Sequence, residues 1–287
     1  MKTVFRTAIP LLVCAAALSV AAAGAIEDER TGGPYVPTPQ QVVDQMLSMA
    51  KVGPDDFVVD LGSGDGVIVL TAANQLKARG YGVDIDPELV RQSNDRARHL
   101  GVADRAAFHV QDVFKADLSK ASVVTLYLLP EMMSNLQPKL FNELRPGSRI
   151  VSHDYQFDAW EPDDSITFDV PEKEAVNGVP QASVHLWIVP AKVSGRWRLR
   201  IEGAPEVAGD LDIRQRYQSF EGAAVIGGRT STIERASLRG EEISFGVTTP
   251  AGRKMFTGKV SGGTIQGAVD LPGGEGRARW TAVRVPG

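Results

Sequence analysis

The chain of 287 residues is poor in cysteine and histidine, with one of the first and four of the second. Cys14 lies in an apolar run near the N-terminus, so the chain beyond that run has no thiol. Disulfides and Cys-ligated metal sites are therefore excluded there. The four histidines (His99, His109, His153 and His185) show no metal-ligand spacing, and no metal site is expected. An excess of one charge is also lacking. The net charge is −4, and nothing global points to a nucleic-acid partner. The hydrophobic fraction of 43% and charged fraction of 23% allow a core of useful size, and global disorder is not expected.

The charge is unevenly divided. Residues 1–192 carry 17 Lys and Arg against 25 Asp and Glu, whereas residues 193–287 carry 14 against 10. This asymmetry predicts two units, the second with a basic surplus that fits an acidic partner. The N-terminus reads as a targeting segment. Lys2 and Arg6 form a basic start, and Ala8 to Ala23 is an apolar run too short to span a bilayer comfortably. Ala23-Gly24-Ala25 fits a small-x-small cleavage site. Residues 1–25 are thus expected to be a cleavable signal peptide, cut after Ala25, with a periplasmic mature chain that carries no membrane span. An uncleaved anchor is the alternative. Val13 before Cys14 is not the small residue that lipoprotein processing requires.

From Thr38 onward, apolar strands alternate with amphipathic helices. Thr38 is placed to cap a helix with Pro39 at its first position and Val42, Val43, Met46 and Leu47 on one face. Strands are expected at 57–61, 81–83, 107–110, 122–128 and 149–152, with helices at 67–77, 86–101 and 130–144 between them. This alternation predicts a mostly parallel, doubly wound sheet covered on both faces, over residues 30–192. Two late strands, 165–170 and 184–189, flank a long loop and fit an antiparallel edge on that sheet. From Gly195 the period becomes two: Trp197, Leu199 and Ile201 alternate with Arg196, Arg198 and Arg200. Turn signals at Gly227-Gly228, Gly240-Glu241, Gly252, Gly262-Gly263 and Gly273-Gly274 divide residues 193–287 into seven or eight short strands. An antiparallel barrel or rolled meander is expected there.

The turn after the first strand reads Asp60-Leu61-Gly62-Ser63-Gly64-Asp65-Gly66. Its glycines allow a sharp turn and a close ligand approach. A dinucleotide fingerprint needs a small residue where this chain has Val67, and the Gly-Lys-Ser/Thr of a phosphate loop is absent. Acidic residues beside the turn suit a ligand that is cationic and lacks phosphate. Asp84 ends the second strand, where a carboxylate can accept ribose hydroxyls. Asp86 reads as a helix cap ahead of Pro87. Asp112 closes the third strand, within reach of an adenine amine. All three of Asp60, Asp84 and Asp112 fall on the carboxyl edge of one sheet, where doubly wound folds bind ligands.

These segments resemble the first three motifs of class I (Rossmann-like, seven-strand) S-adenosylmethionine-dependent methyltransferases. The likeness runs from about Pro34 to Val189. It implies that Asp60 and the turn with Gly62, Ser63, Gly64 and Gly66 meet the methionine part of the cofactor, Asp84 the ribose, and Asp112 and Val113 the adenine. Pro34-Tyr35-Val36-Pro37-Thr38-Pro39 and Leu129-Pro130-Glu131-Met132-Met133 are similar to the protein-lysine methyltransferases of archaea and mitochondria. In that family the first of these segments folds over the cofactor, which makes Tyr35 and Thr38 candidate contacts. The methyl acceptor, a protein amine or a small molecule, is expected at the ends of the fourth and fifth strands. Tyr127, His153 and Asp154 are the candidate catalytic residues there, with His153 a base titrating near neutral pH. The alternative is an exported, non-catalytic binding protein that uses the Rossmann-like domain as a scaffold.

Overall fold

The computed structural model describes residues 35–203, 207–249, 252–270 and 276–286. The expected signal peptide and Pro34 lie outside these residues, as does the Gly273-Gly274 turn. The first layer pattern builds as the periodicity predicts. Helix α1 (Gln40–Met49) buries Val42, Val43, Met46 and Leu47 on one face. Strands β1 (Phe57–Leu61), β2 (Arg79–Asp84), β3 (Ala106–Val110), β4 (Val123–Leu126) and β5 (Arg149–His153) run parallel. Helices α2 (Val67–Gln75), α3 (Pro87–His99) and α4 (Pro130–Glu143) join them. Such crossovers cover both faces of the sheet, which is why β1, β4 and β5 are buried almost throughout.

Strand β6 (Asp164–Asp169) leads into helix α5 (Pro171–Asn177) and then into β7 (Gln181–Ile188). β7 inserts antiparallel between β5 and β6, giving the order β3-β2-β1-β4-β5-β7-β6. The long loop expected between the two late strands is therefore broken by α5, which lies at the same sheet edge as the end of β5. Thr38 does not cap α1. Pro39 occupies the cap position with no side-chain hydrogen bond, and its carbonyl accepts from the amides of Val42 and Val43. The Asp86 cap forms as expected, accepting from the amides of Glu88 at 2.8 Å and Leu89 at 3.3 Å.

The remaining strands are β8 (Gly195–Ile201), β9 (Val207–Arg216), β10 (Ser219–Ile226), β11 (Arg229–Arg239), β12 (Glu242–Thr249), β13 (Gly252–Ser261), β14 (Thr264–Asp270) and β15 (Arg277–Arg284). They form an antiparallel barrel of eight strands, closed where β15 pairs with β8. Closure removes the free sheet edges that an open meander would expose. The inward positions carry Trp197, Phe245, Phe256 and Trp280, all fully buried, so the barrel interior is a packed core. Phe245 stacks on Phe256 at 4.9 Å, and Trp280 meets both edge-on.

An aromatic joint links the barrel to the sheet. Tyr217, in the β9–β10 turn, lies parallel to Trp160 at 5.1 Å and edge-on to Phe141 of α4 at 5.2 Å. Around it, Gln218 donates to the Glu161 carbonyl at 2.6 Å, and the Ala191 amide donates to the Gly240 carbonyl at 2.7 Å. Tyr217→Ala removes two ring contacts worth roughly 0.5–1.5 kcal/mol each beyond area burial. We expect a loss of about 2 kcal/mol in chemical denaturation of the whole chain. An unchanged midpoint would show that the two halves are held together without this joint.

Candidate active site

Three aspartates are brought to one edge by β1, β2 and the segment after β3. Asp60 lies one residue before the end of β1, is buried, and accepts from the Thr125 hydroxyl of β4 at 2.7 Å. Burial pushes its carboxyl up to about 7, against the lowering effect of Thr125, and the charges of Asp84 and Asp65 push the same way. Asp84 at the end of β2 accepts from the Gly64 amide at 2.8 Å and from the Asp86 amide at 3.0 Å. It thus ties the glycine turn to β2 and keeps lone pairs for a ligand. Asp112 lies two residues beyond β3 and not at its end. It caps the single 3-10 turn Val113–Lys115, accepting from the Phe114 amide at 3.0 Å. Val113 is buried beneath it, whereas Ile85 and Phe114 are exposed apolar side chains at the same edge.

The turn itself requires glycine. Gly62, Gly64 and Gly66 all have positive φ, and a Cβ on Gly64 would stand 2.5 Å from the ring of Tyr35. Tyr35 therefore lies directly over the turn, hydrogen-bonded to Asp65, and its phenol is pushed up to about 12 by burial and by that carboxylate. Thr38 is half-buried in the same segment. Ser63 points its hydroxyl beneath the turn toward Gly82, where it is buried with no hydrogen-bond partner among the described residues. This arrangement offers a carboxylate pair, a bare backbone turn and exposed apolar side chains, and the arginine at the turn, Arg96, is already paired with Asp65 at 2.5 Å. It fits a ligand with a cationic amino-acid end and an aromatic base.

At the ends of β4 and β5, Tyr127 lies over His153 with ring centroids 3.9 Å apart and stacks on Tyr155 at 6.4 Å. His153 is fully buried. Burial holds its imidazole down to about 4, outweighing Asp154, which raises it, and assisted by Lys173. That is far from the neutral range expected of a base, because desolvation disfavours the imidazolium. The Tyr127 phenol is pushed up to about 12, mainly by burial and then by Asp154 and Tyr155. Asp154 has a left-handed backbone (φ 63°), and its Oδ1 accepts from the Ser183 amide at 3.0 Å. Its Oδ2 accepts from the Nζ of Lys173 at 2.6 Å. Lys173 in α5 is the buried cation at this edge that the sequence reading did not single out. Its helix carries start and stop signals in Pro171, Glu172 and Gly178 that could have revealed it.

A sheet in this order with an antiparallel β7, and a ligand edge of this composition, define a class I S-adenosylmethionine-dependent methyltransferase. The family of the ANTKMT methyltransferase domain matches residues 60–164. A protein-lysine N-methyltransferase of Saccharolobus islandicus (strain REY15A) is 40% identical over 157 residues, covering 54% of this chain and 93% of that protein. The adenine nucleotide translocase lysine N-methyltransferase of Mus musculus is 35% identical over 130 residues, covering 45% of this chain and 56% of that protein. An RNA methyltransferase from Salinibacter ruber, solved with S-adenosyl-L-homocysteine, is 44% identical with a TM-score of 0.50, covering 55% of this chain and 96% of that one. The chain belongs to the class I methyltransferases, in the group that holds these protein-lysine N-methyltransferases. It is an enzyme, and its cofactor is S-adenosylmethionine.

The Tyr35–Gly64 contact makes a test of the turn. Gly64→Ala should weaken S-adenosylhomocysteine binding at least about tenfold in calorimetric titration, since φ is positive and the ring blocks the methyl. Gly101→Ala shares the positive φ but meets nothing within 4 Å, and should leave affinity unchanged. Equal affinities in both variants would remove the turn from the site.

Proposed function

We propose that the enzyme methylates the ε-amine of a protein lysine, at the ends of β4 and β5. The observation that carries this reading is the aromatic cluster of Tyr127, His153 and Tyr155 at the strand ends, beside which the cation Lys173 is already paired with Asp154. A neutral aromatic cluster suits an amine that must be uncharged when it attacks. The transfer is an in-line displacement in which the amine nitrogen bonds the methyl carbon as the carbon–sulfur bond breaks and the sulfur keeps its electron pair. Alignment of nucleophile and sulfonium in a dry pocket is the main task. In this reading Asp60 and the turn with Gly62, Ser63, Gly64 and Gly66 hold the amino-acid end of the cofactor, Asp84 the ribose, and Asp112 and Val113 the adenine, with Tyr35 and Thr38 closing over it. His153, held neutral, is part of that cluster. With its imidazole at about 4 it is far too weak a base to take a proton from an ammonium that releases it near 10. The ammonium therefore loses its proton to solvent before entry.

A second reading, an RNA acceptor, has the relative from Salinibacter ruber in its favour. The acidic excess of residues 1–192 favours a lysine-bearing protein over a polyanion. We further propose that residues 1–25 are a signal peptide removed after Ala25, that the mature enzyme works in the periplasm, and that the methyltransferase domain occupies residues 30–192. Among the described residues, no helix is long and apolar enough to cross a membrane. The barrel, residues 193–287, then presents a basic surplus to an acidic partner.

Incubation with methyl-labelled cofactor and the envelope proteins and RNA of the source organism, followed by acid hydrolysis, should yield labelled Nε-methyl-lysine. Label in nucleosides would establish the RNA reading, and label in neither would contradict both. The cofactor end is testable by pH. Asp60 stays protonated below about 7 in the free protein, whereas the cofactor's ammonium requires the carboxylate. Affinity should therefore fall toward tenfold per unit as pH drops below about 7, and Asp60→Asn should abolish that slope. A wild-type affinity flat from pH 5 to 8 would contradict Asp60 as the ammonium's partner.

A further inference from the structure

Lys173 is buried, with 3% of its surface exposed, yet it lies on none of the segments expected to carry chemistry. It comes from α5, which the order β5-β7-β6 places at the edge where β5 ends. Its Nζ is 2.6 Å from Oδ2 of Asp154 and 3.4 Å from Nε2 of His153. The same Oδ2 stands 3.5 Å from Nε2 of His153. An ammonium has only donors, so where Nε2 accepts from it the single ring proton of a neutral imidazole sits on Nδ1, whereas donation from Nε2 to Oδ2 of Asp154 would keep that proton on Nε2. Nδ1 is buried with no hydrogen-bond partner among the described residues, so no carbonyl or carboxylate there fixes the tautomer from that side. Among the described residues, polar contacts to the ring thus come from the Nε2 side, and Tyr127 packs on its face.

We propose that Lys173 is a positioning residue of the acceptor site, whose ammonium, clamped on Asp154, offsets that carboxylate beside His153 and keeps the ring proton on Nδ1 and the ring against Tyr127. This rests on the reading that the acceptor amine enters beside Tyr127 and His153. The groups that face the imidazole are Tyr127 from the end of β4, Asp154 beyond β5 and Lys173 from α5, and Tyr155 stacks on Tyr127. Among the charged ones, Asp154 favours the imidazolium and Lys173 opposes it. With Lys173 present the pair is neutral. Without it a half-buried carboxylate beside the ring has no counter-charge, and protonating His153 becomes the nearest way to supply one. That would place a positive charge where a sulfonium and an amine must meet.

The test is histidine-selective nitrogen-15 NMR of the full chain, with His153 assigned through His153→Gln. In wild type we expect His153 to stay neutral down to pH 5, with nitrogen shifts that place the proton on Nδ1. Lys173→Met should move its midpoint above pH 6. Lys173→Arg keeps the cation and should stay below pH 5, and Lys173→Met/Asp154→Asn removes both charges and should return below pH 5. S-adenosylhomocysteine affinity within about twofold of wild type serves as the folding control. A wild-type proton on Nε2, or a Lys173→Met midpoint that remains below pH 5, would overturn the proposal. If Lys173→Met does not fold, the wild-type tautomer and the Lys173→Arg midpoint still decide. None of these readouts requires turnover, so a failed search for the acceptor overturns the functional reading and leaves this result standing.

Discussion

The short bridge from β2 to the glycine turn is the contact around which the ligand edge is built. The amides of Gly62 and Ser63 both donate to the Val83 carbonyl, and the Gly64 amide donates to Asp84. These bonds force the chain leaving β1 to fold back over β2 before α2 begins. That path requires positive φ at three positions, which glycine supplies without strain. Asp60 and Asp84 are thereby fixed on adjacent strands, with Tyr35 above the turn. The buried Asp60 carboxyl, raised by desolvation, is poised for a cation to arrive. The site is preorganised by backbone hydrogen bonds and lacks only the charge its ligand brings.

The proposed acceptor end depends on a different device. The antiparallel insertion of β7 carries α5 to the end of β5 and delivers Lys173 to Asp154. The opposite charges of Lys173 and Asp154 cancel beside the stacked rings of Tyr127 and His153. At the cofactor end Asp60 and Asp84 are held by hydroxyl and amide donors, whereas at the proposed acceptor end Asp154 is paired with a lysine. This division matches a reaction in which a cation gives up a methyl group to a neutral amine. The barrel adds a second packed core, joined to the sheet through Tyr217, Trp160 and Phe141.

Much of this was legible in the sequence because the relevant signals are local. Strands β1 to β5 follow from apolar runs between helical periods, and the edge aspartates follow strands that are short and bounded by turns. The barrel strands follow from the alternation of Trp197, Leu199 and Ile201 with arginines. What stayed hidden depends on contacts between distant segments. Closure of β15 on β8, the stacking of Tyr217 on Trp160 and the meeting of Lys173 with Asp154 have no local periodicity. The ordinary titration range of histidine suggests a base at His153, and burial overrides it. Capping preference points to Thr38, but Pro39 already ends the extended segment and offers its carbonyl to α1.

The central claim is that the edge of β1, β2 and β3 holds S-adenosylmethionine through its acidic residues. Calorimetric titration of the whole protein with S-adenosylmethionine at pH 6.5, in two buffers of different ionisation enthalpy, tests it most directly. One-to-one binding with release of a proton to the buffer is predicted, because the cofactor's ammonium must ionise Asp60. Absence of binding at millimolar cofactor, or binding with no proton released, would contradict it.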